Sequence, residues 1–185
     1  MTGQVPDTLI YKNNSYSIVG LKGEGLLHPF DFNLKPISPS TANWRGFVMT
    51  YTVIEDHLQL HEMNIWVEQA EGKPPRINDV KPKLKKEGVL HLIYEELMLK
   101  TQFQGKILIA KGFIDSMYVH MGFQSPISFE TVIELTFNNG KLETTSDLSK
   151  IMKDYREQKI SDGKLDRSDD IKGWITRTFS LDYEF

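Results

Sequence analysis

The stretch "FVMTYTVIEDHLQLHEMNIWV", Phe47 to Val67, decides the architecture. Phe47, Met49, Tyr51 and Val53 alternate onto one face, and Val48, Thr50, Thr52 and Ile54 onto the other. A period of two is the mark of a strand. With neither face strongly polar, the strand is expected to be central and covered on both sides. Glu55 and Asp56 then turn the chain. The returning strand carries Leu58 and Leu60 at even positions but Met63, Ile65 and Val67 at odd ones. That change of phase predicts a β-bulge at His61–Glu62. The same reading settles the most suggestive chemistry in the chain. On a helix, His57 and His61 would sit one turn apart and could share a metal ion. On a strand they are about 13 Å apart, four steps of about 3.3 Å, and one ion cannot reach both.

Working outward, the N-terminal run "DTLIYKNNSYSIVG" sets Asn13-Asn14 between two short β-rich segments and reads as a small hairpin. Residues 20–43 hold three glycines and three prolines and read as a long irregular connection. Residues 70–88, polar and rich in proline, read as a loop. "VLHLIYEEL" and "GKILIAKGF" are further strands, although Glu95 to Met98 would also suit a helix. The clearest signal is "SFETVIELTFNNGKLETT". There Phe129, Thr131, Ile133, Leu135 and Phe137 share one face, and "NNG" supplies a tight hairpin turn. "SDLSKIMKDYREQKIS" predicts a helix capped by Ser146 or Asp147, with Leu148, Ile151, Met152 and Tyr155 as its apolar stripe. The closing "WITRTFSLDYEF" alternates as a terminal strand. "TYTVIEDHLQL" and "IELTFNNGKLET" echo one another, a similarity that any meander produces.

Composition bounds the function. The length of 185 residues suits one domain, 1–185, with its own core. A net charge of −3 leaves no electrostatic footprint for nucleic acid or an anionic membrane. The absence of cysteine removes disulfides, thiolate nucleophiles and thiolate metal ligands, and suits a reducing cytoplasm. No apolar run approaches a membrane span. The opening "MTGQVPDTLIYK" lacks the basic and apolar regions of a signal peptide.

Catalytic motifs are missing. "LKGEGLL" has too few glycines and no following helix for a phosphate loop. No serine sits in a Gly-x-Ser-x-Gly elbow. Adjacent acids such as Glu95-Glu96 point to opposite faces of a strand and make poor acid/base couples. The basic run from Lys81 to Lys86 reads as a solvated surface. One segment resists a purely structural account. "GFIDSMYVHMGFQSP", Gly112 to Pro126, carries Tyr118, His120, Met121, Phe123 and Gln124 between two strong strands. Such an aromatic loop either covers a core or makes a binding surface. Arg45, between Trp44 and Gly46, could hold a carboxylate or phosphate bidentately, or pair and stack within the protein.

The segments "STANWRGFVMTYTVIEDHLQLHEMNI", "PRINDVKP", "FQGKILIAKGFIDSMYVHMGFQ" and "VIELTFNNGKLETTSDLS" together resemble a family of uncharacterised bacterial proteins. The family signature is a Trp-Arg-Gly that opens a hairpin, a Gly-Lys strand, and a strand ending in Phe before an Asn-Gly turn. Trp44, Arg45, Gly46, Gly105, Lys106, Phe137, Asn139 and Gly140 match it. The resemblance spans roughly residues 38–149. It implies a bacterial cytoplasmic protein and carries no substrate or catalytic set.

The resulting expectation is a mainly β, β-rich α+β domain. It is an antiparallel meander of about eight strands, barrel-like or a sandwich, with one helix at about 147–158 and a final strand. Its function is expected to be that of a non-catalytic binding or protein-interaction module, an immunity-like role being one form of it, with a small ligand or a protein as partner and neither nucleic acid nor membrane. The alternative is a small-ligand-binding barrel, or a hydrolase whose site assembles only in three dimensions. The candidate ligand-binding residues are Arg45, Tyr118, His120 and Gln124. No catalytic residue, metal or cofactor is expected.

Overall fold

The structure, a computed structural model, describes residues 2–68 and 73–161. Its strands are β1 (Thr8–Tyr11), β2 (Asn14–Glu24), β3 (Phe47–Ile54), β4 (His57–Val67), β5 (Lys83–Glu87), β6 (Val89–Tyr94), β7 (Leu99–Lys100), β8 (Gln104–Phe113), β9 (Phe129–Asn138) and β10 (Lys141–Asp147). One helix, α1 (Ser149–Ser161), follows. Two-residue turns set three of the hairpins: Lys12-Asn13, Glu55-Asp56 and Asn139-Gly140. In each, both residues have positive φ, between 48° and 77°. That backbone matches the right-handed twist of the flanking strands. The first turn therefore centres one residue earlier than the sequence suggested, and Asn14 already belongs to β2.

All strands join one sheet, in the order β10-β9-β8-β2-β1-β3-β4-β6-β5, with β7 also against β4. β10 pairs a second time, with β4, where Lys141 faces His57. The sheet thus closes into a ring, though not a regular barrel. At the closure, the Leu58 amide donates to the Gly140 carbonyl (2.8 Å) and the Leu142 amide to the Asp56 carbonyl (2.7 Å). The turn at Gly140 is pressed so close to Thr101 that a Cβ there would stand 2.1 Å from the Thr101 carbonyl oxygen. Only glycine fits.

The β-rich class and the single helix agree with the sequence reading, and the details extend it. Pairing is antiparallel except between β1 and β3, which run parallel with Leu9 opposite Tyr51. β2 continues to Glu24, into the stretch read as irregular. β5 lies inside the stretch read as loop. Its lysines hide it, because an edge strand need not alternate apolar and polar residues. The bulge falls where the phase change put it. Thr50 faces Glu62 and Tyr51 faces Leu60, so His61 is the extra residue. The expected terminal strand lies outside the described residues.

The ring is filled. Leu9, Tyr51, Leu58, Leu60, Met63, Ile65, Tyr94, Phe103, Ile107, Leu135 and Phe137 are buried in one cluster inside it. Burying each such side chain contributes about 1.5–3 kcal/mol. Alternate residues of β8, Leu108 and Ala110, face outward and join Val132, Phe129 and Met152 in a second cluster beneath α1. Met152 is buried, but Ile151 and Tyr155 of the predicted stripe remain exposed. Asp147 receives the Ser149 amide at the start of the helix (2.9 Å).

Candidate functional site

The segment before β1 does more than lead into the sheet. Residues 2–7 run between the loop at 41–45 and the aromatic loop that follows β8, and they bond to both. The Gln4 amide donates to the Gly122 carbonyl (2.8 Å) and the Val5 amide to the Ala42 carbonyl (2.9 Å). The Gln4 side chain donates to the Thr41 carbonyl (2.8 Å) and accepts from the Trp44 amide (2.9 Å). The Gly3 amide donates to the Tyr118 hydroxyl (2.5 Å). Three distant segments are thereby joined at one end of the molecule.

Arg45 is the hub of this end. Its two terminal nitrogens donate to the two oxygens of Asp7, at 2.8 and 3.0 Å. A third bond reaches the Val5 carbonyl (3.3 Å). Asp7 is buried, and it also accepts from the Met49 amide (2.7 Å). The guanidinium lies over the rings of both Phe47 (4.7 Å) and Phe123 (5.1 Å). Arg45 therefore grips a carboxylate of its own chain, and an external carboxylate or phosphate would have to displace Asp7. Gly46, the next residue, has φ of 75° and passes Ile37 so closely that a Cβ would lie 2.4 Å from the Ile37 carbonyl oxygen.

His28 extends the cluster. Its ring meets the edge of Phe47 (4.9 Å) and tilts over Phe30 (4.7 Å). Its Nδ1 accepts from the Phe30 amide (3.2 Å), so that nitrogen carries no proton. Burial pushes the imidazole below its usual range, with Asp31 partly opposing this and Arg45 adding to it. Tyr51, wholly buried, donates to the Leu27 carbonyl (3.0 Å), and burial pushes its hydroxyl well above the usual range.

The aromatic loop is braced from within. Gln124 accepts from the Val119 amide (2.9 Å) and donates to the Val119 carbonyl (2.8 Å). The rings of Tyr118 and His120 meet edge to face at 5.1 Å. Tyr118 and His120 are exposed, while Phe123 and Gln124 are half-buried. All four sequence candidates thus come to one place: Tyr118, His120 and Gln124 through their shared loop, Arg45 through Phe123. Gln4, Asp7, His28 and Phe30 were not foreseen. Asp7 had a faint signal, an acid just before the first strand, but nothing marked its partner 38 positions away.

The histidines of β4 do not meet. The His57 ring bonds to the Glu55 carbonyl (2.9 Å) and the His61 ring to the Met98 sulfur (3.3 Å). Among the described residues, no three of the His, Asp and Glu side chains gather as a metal site, and no helix is long and apolar enough to cross a membrane. No protein family, curated protein or solved structure matches this chain.

Proposed function

We propose that the protein is a non-catalytic binding module, and that it engages a protein partner through the end organised by Arg45. The observation that carries this is the placing of exposed apolar side chains. Val5, Phe30, Trp44 and Tyr118 are 43, 61, 46 and 42% exposed, and all stand on the segments that Gln4, Arg45 and His28 tie together. Exposed aromatic residues around an arginine are the composition of interface hot spots. A rigid backing adds to it, since residues held before contact lose little entropy on binding.

The reading extends to an immunity-like role, in which a mildly acidic chain neutralises a protein partner in the bacterial cytoplasm. The lack of cysteine and the net charge of −3 suit that setting. The test is affinity capture followed by native mass spectrometry. Wild-type protein is expected to retain one stoichiometric protein partner. Trp44→Ala and Phe30→Ala are expected to lose it while melting at the wild-type temperature. Absence of any stoichiometric partner, or capture indifferent to both substitutions, would refute the proposal.

A further inference from the structure

Behind Tyr118 lies a cavity of about 260 Å3, open on one side. Much of its lining is apolar: Ile18 and Val19 of β2, Phe113 at the end of β8, Phe123, and Phe129 at the start of β9. Gln4, Ser17, Tyr118 and Gln124 add polar groups to the lining, and the segment before β1 contributes to it as well. An extra residue in β2 borders the space. Ile18 faces Ile109 and Gly20 faces Leu108, so Val19 bulges from the ladder. Phe113 and Phe129, paired across β8 and β9, meet edge to face at 5.4 Å.

We infer that this cavity receives a tyrosine or tryptophan side chain presented by the protein partner, an inference that rests on the binding face proposed above. Size is the first argument. A dry apolar cavity of about 150 Å3 admits benzene, so the space here suits a phenol or an indole. Lining is the second. Among the described residues no charged side chain lines it. A carboxylate or ammonium would be desolvated there without a counter-charge, whereas a neutral ring covers the apolar lining and leaves its single polar atom for the side chains of Gln4, Ser17, Tyr118 or Gln124. Position is the third. The cavity opens beside Tyr118, within the exposed aromatic end, and anchors that fill pockets at the centre of an interface carry most of its energy.

N-acetyl-tryptophanamide and N-acetyl-tyrosinamide are the probes, because they present each ring on a neutral peptide backbone. In an amide-correlation NMR titration, at least one is expected to shift Gly3, Val19, Tyr118 and Phe129 with millimolar affinity. N-acetyl-glutamate amide is expected to shift none of them. Val19→Phe and Ser17→Leu fill the space from two sides, and each that keeps the wild-type melting temperature is expected to weaken the probe at least tenfold. Trp44→Ala, outside the lining, is expected to leave probe binding intact. Three results would overturn the inference: no shift at these amides up to the solubility limit, binding unchanged in a folded filled variant, or binding of free indole or phenol but of neither capped residue. Loss of partner capture in Trp44→Ala together with any of these would sink the cavity assignment and leave the binding face standing.

Discussion

Arg45 and Asp7 show how one residue pair can organise a surface. Asp7 is buried, accepts three hydrogen bonds, and among the described residues is ion-paired with a guanidinium that is itself a quarter exposed. Removing one partner of such a pair leaves the other poorly solvated. Asp7→Ala is expected to cost about 3 kcal/mol in urea denaturation and to release the 2–7 segment, visible as faster amide exchange at Gln4 and Val5. His28 has a different signature. Its imidazole titrates below the ordinary value, chiefly through burial. As pH falls below about 6.5, the unfolded chain takes up this proton before the folded one does. The stability present above that pH is therefore lost as the solution is acidified through the folded value. His28→Asn keeps an acceptor for the Phe30 amide, and its denaturation midpoint is expected to fall less than the wild-type one between pH 7 and 5. Tyr94 works at the other end of the scale. Burial raises its hydroxyl to about 12, against about 10 when unfolded. Above pH 10 the unfolded chain sheds this proton and the fold retains it, so stability falls toward pH 12. Tyr94→Phe is expected to lack that part of the decline.

At the scale of elements, legibility followed the side chains. β3, β4 and β9 were readable because one face of each meets the ring interior and writes its period into the sequence. The bulge at His61 was readable because it shifts that period. β5 was not, since a lysine-bearing edge leaves no such pattern, and neither was the parallel contact of β1 with β3, which no turn connects. The helix was half readable. Its stripe predicted four contacts, yet Met152 is buried while Ile151 is 58% exposed. Met152→Ala is accordingly expected to cost about 2–3 kcal/mol and Ile151→Ala less than about 0.5 kcal/mol, measured by thermal or urea unfolding. The turn at Gly140 offers a sharper contrast. Its φ of 77° and its contact with Thr101 both exclude a Cβ. Gly140→Ala is expected to destabilise by more than about 1 kcal/mol.

On the scale of the whole molecule, the candidate site was legible as a set of residues and not as a place. Tyr118, His120 and Gln124 stood out because an aromatic loop between strands is unusual, and Arg45 because it stands between Trp44 and Gly46 at the entrance to a strand. Their assembly depends largely on main-chain bonds from residues 2–5, and a backbone amide leaves no trace in composition. Ring closure was equally hidden, since Lys141 and His57 owe their meeting to twist accumulated over the sheet. That closure also leaves something outside. β5 continues past the ring and pairs only with β6 among the described residues, so one row of peptide groups ends the sheet. Lys83, Lys85 and Lys86 stand along it. Two molecules approaching rim to rim would bring ammonium groups against ammonium groups, and the growth of one sheet into the next would stall at its first rung.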